Sequence, residues 1–191
     1  MVARRGLERR SSSLRVEERR CCTLLAAMGA YPSGVLIADS RGDLNGITSQ
    51  GGGSGCFGSG YGVVFKLATP RVSSGAWTKT VLHAFGRQPR DGLVPWAGLI
   101  IDAKGNLYGT TWVGGGNGTV FKLAPSLGGG QWTETVLYNF KRNQSGDGSA
   151  PVAGLIAESN GNLYGTTYEG GTAGNGTVFK LSGTGFAVSP R

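Results

Sequence analysis

The sequence predicts an all-β fold: tandem four-stranded antiparallel repeats, propeller-like, in an incomplete or open array. Three observations carry that expectation. Two long segments match nearly residue for residue at a spacing of 56 positions, and a more divergent copy precedes them. The 36 glycines among 191 residues recur at fixed places between short runs of aromatic and β-branched residues, which is the chemistry of turns between strands. No segment of the repeat region carries a helical period.

Self-similarity sets the units. Pro95 opens PWAGLIIDAKGNLYGTTWVGGGNGTVFKL, and Pro151 opens PVAGLIAESNGNLYGTTYEGGTAGNGTVFKL. The divergent copy opens at Pro32 with PSGVLIADSRGDLNGITSQ. Its Gly42 lies 63 residues before Gly105, the surplus falling mainly in the 51–60 loop. Units therefore start near residues 32, 95 and 151.

Each full unit reads as four short strands. In the second they span residues 98–102, 107–112, 119–123 and 132–140. The first strand meets the second through Asp102-Ala103-Lys104-Gly105-Asn106. Asp accepts local backbone hydrogen bonds, Gly supplies a positive φ and Asn tolerates the turn, so a tight hairpin is expected. The turn recurs as Asp39-Ser40-Arg41-Gly42-Asp43 and as Glu158-Ser159-Asn160-Gly161-Asn162. In the fourth strand Trp132, Glu134, Val136, Tyr138 and Phe140 should face one way, with Thr133, Thr135, Leu137 and Asn139 facing the other. Apolar residues on both faces fit a sheet stacked between two like neighbours.

Two regions differ in composition. Residues 1–27 read as a basic, disordered N-terminal leader, and residues 28–191 as the tandem β-repeat domain. Seven arginines against Glu8, Glu17 and Glu18 give residues 1–20 a charge of +4, and the remaining +4 is spread thinly. No basic stripe runs along the repeats, so nucleic acid is not the expected partner. The apolar stretch 21–30 makes a poor signal peptide, because Glu17 and Glu18 lie just before it. No apolar run approaches the roughly 18 residues of a transmembrane helix. Cys21, Cys22 and Cys56 form no disulfide framework. Propellers close with about 4–8 blades, whereas this chain supplies fewer than three. A piece of a longer array is one expectation, and closure by self-association the other.

Candidate sites divide into those the pattern explains and one it leaves open. Gly53-Ser54-Gly55-Cys56-Phe57-Gly58 spells G-x-G-x-x-G, but a strand follows it where a dinucleotide site needs a helix. Asp91 and Asp147 occupy equivalent positions between units, where a repeat-specific turn accounts for them. His83 aligns with Tyr138 and reads as a packed ring, with no metal-binding or general-base company in the sequence. Asn117-Gly118-Thr119, Asn143-Gln144-Ser145 and Asn175-Gly176-Thr177 match the glycosylation sequon, the first and last being turn residues as well. No G-x-S-x-G elbow is present. Catalytic, cofactor-binding and metal residues are therefore not assigned. What stays open is an aromatic set, Tyr108, Trp112, Tyr164 and Tyr168, beside the Gly-rich loops at 114–118 and 170–176. Such rings can stack on a ligand, although packing between sheets also uses aromatics.

The strings G-N-L-Y-G-T-T at residues 105–111 and 161–167, G-T-V-F-K-L at 118–123 and 176–181, and W-T-E-T-V-L-Y at 132–138 carry a family likeness. Over about residues 28–186 the chain resembles the GloVer tandem repeat of bacterial choice-of-anchor proteins. The resemblance implies a repeat-built, exported or surface-associated protein, hence an extracellular or cell-surface location, and brings no catalytic residues. The family's C-terminal sorting anchor has no counterpart at Ser189-Pro190-Arg191, and the first copy has Asn45-Gly46-Ile47-Thr48 where the others have Tyr-Gly-Thr-Thr. The functional expectation is a non-catalytic binding or scaffolding protein with an unknown protein or glycan ligand, acting through loops at one rim. Its rivals are a propeller-type glycan lyase or hydrolase, and a non-functional fragment of a longer repeat protein.

Overall fold

The structure is a computed structural model that describes residues 29–53, 60–70, 75–88, 90–126, 132–141 and 146–188. The leader at 1–27, Cys21, Cys22, Cys56, most of the G-x-G-x-x-G string and the sequon at Asn143 lie outside the described residues. Every regular element among the described residues is a strand.

The first unit supplies β1 (Ala30–Ala38), β2 (Leu44–Gln50), β3 (Val63–Ala68) and β4 (Thr78–Ala84), hydrogen-bonded in chain order as one antiparallel sheet. The second repeats this plan with a broken first strand. Both β5 (Gly92–Pro95) and β6 (Ile100–Ile101) pair with β7 (Leu107–Gly114), which continues to β8 (Thr119–Ala124) and β9 (Thr133–Asn139). The third has β10 (Gly148–Ser149), β11 (Ile156–Ala157), β12 (Leu163–Thr167), β13 (Glu169–Gly170) and β14 (Thr177–Leu181). There β11 and β14 flank β12, while β10 pairs with β13.

The strands expected at 107–112, 119–123 and 132–140 appear within two residues of their limits. The first strand does not. It is shorter at Ile100–Ile101 and is preceded by β5, which pairing pattern alone did not reveal. Pro95 has no N–H to continue the ladder, and its pairing with Thr111 is the last before the break. In the first unit the same strand stays continuous, with a register shift between Ser33 and Ile37.

The hairpin turns follow their sequence chemistry. Gly105 adopts φ 80° and donates its N–H to the Asp102 carbonyl at 2.9 Å. Asp102 Oδ1 accepts the Lys104 and Asn106 amides at 2.9 and 2.8 Å. Asp39 does the same for Arg41 and Asp43 at 2.9 and 3.0 Å, around Gly42 at φ 82°. A positive φ costs a side chain free energy that glycine avoids, so the motif ends each first strand at the same place.

The fourth strand departs from simple alternation. Val120 pairs with Tyr138 but Phe121 pairs with Val136, leaving Leu137 as an extra residue. Leu82 is extra at the matching point of β4. A bulge inserts one unpaired residue and bends the strand. It also turns the following residues, so alternation from Trp132 cannot run unchanged to Phe140.

The core lies between successive sheets. Ile47, Val64, Leu82 and Phe85 of the first unit meet Leu99, Leu107, Phe121 and Leu123 of the second. On the far face of that second sheet, Tyr108, Val120 and Phe140 meet Leu155 and Leu163 of the third. Adjacent residues Leu107 and Tyr108 thus serve opposite junctions, as a period of two requires. Phe85 and Phe121 meet edge-to-face with centroids 5.1 Å apart, and Phe140 and Phe179 repeat that geometry at 5.1 Å. Backbone bonds also cross the junctions, from Val94 N–H to the Tyr61 carbonyl (2.8 Å) and from Ala150 N–H to that of Asn117 (2.9 Å). Val94 and Ala150 carry φ of 58° and 53°, and Tyr31 repeats it at 57°. A residue before proline is normally extended, so a strained backbone position recurs in every unit.

Burial should therefore follow the junctions rather than the sequence motif. Val120 is 0% exposed and its equivalent Val178 79% exposed. In urea titrations of dilute protein, Phe121→Ala should lose about 3–5 kcal/mol of stability. Val178→Ala should change it by no more than about 0.5 kcal/mol. Equal losses would mean that the sheets do not stack through these faces.

Candidate functional site

A polar cluster is buried at the junction of the first two units. His83 sits on β4 just after the bulged Leu82, Asp91 on the connection to the second unit, and Glu134 on β9. His83 Nε2 stands 3.5 Å from Asp91 Oδ1 and 3.8 Å from Glu134 Oε2. Their side chains are 9%, 1% and 7% exposed respectively. One ligand atom from each lies within 4.8 Å of the other two.

Asp91 is held firmly. Its Oδ2 accepts the Gly86 amide at 2.7 Å and the Arg87 amide at 3.1 Å, closing the loop between units. That is the turn role expected of it. Its Oδ1 points the other way and, like His83 Nε2 and Glu134 Oε1, has no hydrogen-bond partner within the protein. Burial opposes ionisation of Asp91, yet the nearby His83 imidazole, with Glu134 and the Arg87 amide, keeps its carboxyl below the ordinary range. Burial, with Asp91 alongside, pushes Glu134 up to about 8. Two close carboxyls thus divide into one that stays ionised and one that holds a proton.

The second junction lacks this arrangement. Tyr138 occupies the position of His83, and its hydroxyl donates to Asp147 Oδ2 at 3.1 Å. Asp147 also accepts the Lys141 amide at 2.7 Å. Both rings rest edge-on against the following phenylalanine, His83 on Phe85 at 4.7 Å and Tyr138 on Phe140 at 5.1 Å. His83 is therefore a packed ring, as its alignment indicates, and also faces two acids. Sequence reasoning found no company for His83 because Glu134 comes from the next unit. Two departures from the repeat could have flagged it: His83 opposite Tyr138, and Glu134 opposite Lys79.

Two clefts flank Trp132. One of about 350 Å³ is bordered by His83, Arg87, Gln88 and Trp132. The other, of about 530 Å³, has Asp39, Arg41, Lys66, Asp102 and Trp132 on its walls. In it Lys66 Nζ bridges Asp39 at 2.8 Å and Asp43 at 2.7 Å. The hydrogen bond from Lys66, with the Thr69 amide, lowers the Asp43 carboxyl to about 2. The second unit replaces this network with Asn106 and Tyr108, which both donate to Asp102 Oδ2, at 2.7 and 3.1 Å.

The four aromatic candidates separate. Tyr108 is fully buried, its ring 5.1 Å from Phe186 and its hydroxyl on Asp102. It serves packing, because the sheet of the third unit covers its face, and it offers no open surface to a ligand. Tyr164 is half-buried and bonded to Glu158, with Lys180 Nζ 5.7 Å above its ring. Trp112 and Tyr168 are exposed at equivalent positions. Trp112 is joined by Trp96, a residue the sequence analysis passed over, with centroids 6.0 Å apart.

The Lys66 network sets a direction of pH dependence. The folded-state pKa of Asp43 lies below its ordinary 3.8. Its stabilising contribution is thus complete above about pH 4 and lost as pH falls toward about 2. Melting curves should show a fall across that window for the wild type and a smaller one for Asp43→Asn. Parallel falls would mean that the ion pair contributes nothing to folding.

Among the described residues no helix is long and apolar enough to cross a membrane. Comparison with curated proteins and with solved structures gave no match. The family described as the Gloeobacter/Verrucomicrobia repeat matches residues 20–189. That span contains all four sheets of the described residues, both junctions and the buried cluster, and it agrees with the repeat strings. The chain belongs to the Gloeobacter/Verrucomicrobia repeat family.

Proposed function

We propose that this chain is a non-catalytic binding or scaffolding protein, a propeller-like stack of repeats that works outside the cell or at its surface. The observation that carries the reading is the Trp96–Trp112 pair. The two indoles are 49% and 43% exposed and meet edge-on beside the 114–118 loop. Large aromatic rings gain from burial, and a pair left open next to glycine-rich backbone is a ready platform. A ligand with an apolar planar face, such as a sugar ring, fits that chemistry. The backbone amides of the loop would supply polar contacts at its edge.

A glycan array followed by titration calorimetry tests this. Saturable binding is expected, weakened about fivefold in each of Trp96→Ala and Trp112→Ala, since each stacked ring contributes on the order of 1 kcal/mol. Binding indifferent to both changes would remove the platform from the argument. Turnover of a screened glycan would replace it with the glycan-active enzyme.

The scaffolding half rests on the third sheet, whose face carries exposed Val178 where the second sheet carries buried Val120. A second copy of the chain is the natural cover, because like sheets already cover like sheets within it. Light scattering at rising concentration should reveal a discrete oligomer that Val178→Glu dissociates. A strictly monomeric chain would leave the binding half standing alone.

A further inference from the structure

The cluster at the first junction has a chemistry that neither binding at the rim nor stacking uses. We infer that His83, Asp91 and Glu134 form a binding site for a divalent transition cation of the zinc type, tying the first two repeats together.

Geometry is the first support. A tetrahedral zinc site with bonds of about 2.0–2.2 Å holds its donors roughly 3.3–3.6 Å apart. His83 Nε2 lies 3.5 Å from Asp91 Oδ1 and 3.8 Å from Glu134 Oε2. Both distances from the imidazole are within a few tenths of an ångström of that range, and all three donor atoms lie within 4.8 Å of one another.

The unpartnered atoms are the second. Buried polar atoms are nearly always hydrogen-bonded. Here His83 Nε2, Asp91 Oδ1 and Glu134 Oε1 all lack a hydrogen-bond partner, and the Asp91 side chain is 1% exposed. The other Asp91 oxygen is fixed by two backbone amides, which is how an outer shell orients a metal-binding carboxylate. A dication bound by two carboxylates and one neutral imidazole is electrically balanced, so burial is not penalised as a lone charge would be. One nitrogen and two oxygens suit zinc better than calcium, which takes 6–8 oxygens. His83 also borders the cleft of about 350 Å³ beside Arg87, Gln88 and Trp132, a route by which a cation can reach the imidazole.

The repeat itself supplies a control. His83→Tyr installs the residue found at the equivalent Tyr138, which already bonds Asp147 in the second junction, so the variant keeps a residue that this fold accommodates. Glu134→Gln preserves shape and removes a carboxylate ligand. The experiment is calorimetric titration of the full chain with zinc chloride after chelator treatment, with Cys21, Cys22 and Cys56 changed to Ser so that thiols do not compete. Circular dichroism checks the fold of each variant. One zinc per chain is expected, with a raised melting temperature, and both His83→Tyr and Glu134→Gln should weaken binding at least tenfold. Absence of binding, or equal binding by a folded variant, would overturn the site.

Discussion

Everything in this structure depends on one constraint: no sheet can bury its own faces. A four-stranded sheet of about 50 residues leaves two apolar surfaces in water unless something lies against them, and here another sheet does. The aromatic contact between Phe85 and Phe121, repeated between Phe140 and Phe179, is the most regular expression of that dependence. The backbone bonds from Val94 and Ala150 to the preceding unit add direction to it. Apolar contact alone tolerates sliding, whereas a hydrogen bond between named backbone groups fixes one register. The recurring positive φ at these positions is the strain accepted to make that bond.

The sequence revealed whatever is local or repeated. The Asp102 to Asn106 turn was legible because its hydrogen bonds join residues two to four apart, and residue type dictates them. Unit boundaries were legible because the copies can be laid over one another. Features set by partners distant in the chain were not. Tyr108 and Trp112 are neighbours on one strand with the same aromatic character, yet one is buried and the other exposed. Which of them meets the next sheet depends on where that sheet lies. The break between β5 and β6 escaped notice because Pro95 announces a missing donor without saying where pairing resumes.

The cluster at the first junction was hidden by the same regularity that made the fold readable. Aligning repeats teaches one to read His83 as a substitute for Tyr138, and so as a ring. It is a ring, packed on Phe85. However, alignment compares equivalent positions, while a site is made of non-equivalent ones. Glu134 meets His83 because side chains from the fourth strands of successive units reach into the same junction. Two departures from the repeat, each unremarkable alone, fall on the same junction.

That coincidence bears on how a stack of near-identical units keeps its order. Identical junctions would let any unit sit on any other, since Phe-on-Phe contacts cannot distinguish one neighbour from the next. A buried His, Asp and Glu can, because each polar group is costly to bury without its partners. Placing Lys79 where Glu134 lies, as a shifted stacking would, brings a cation toward His83 and removes the second carboxylate. The first and second units are thus matched by polar chemistry, and the second and third by the simpler Tyr138–Asp147 bond. Apolar faces make the sheets stack, and the polar residues between them determine which sheet belongs on which.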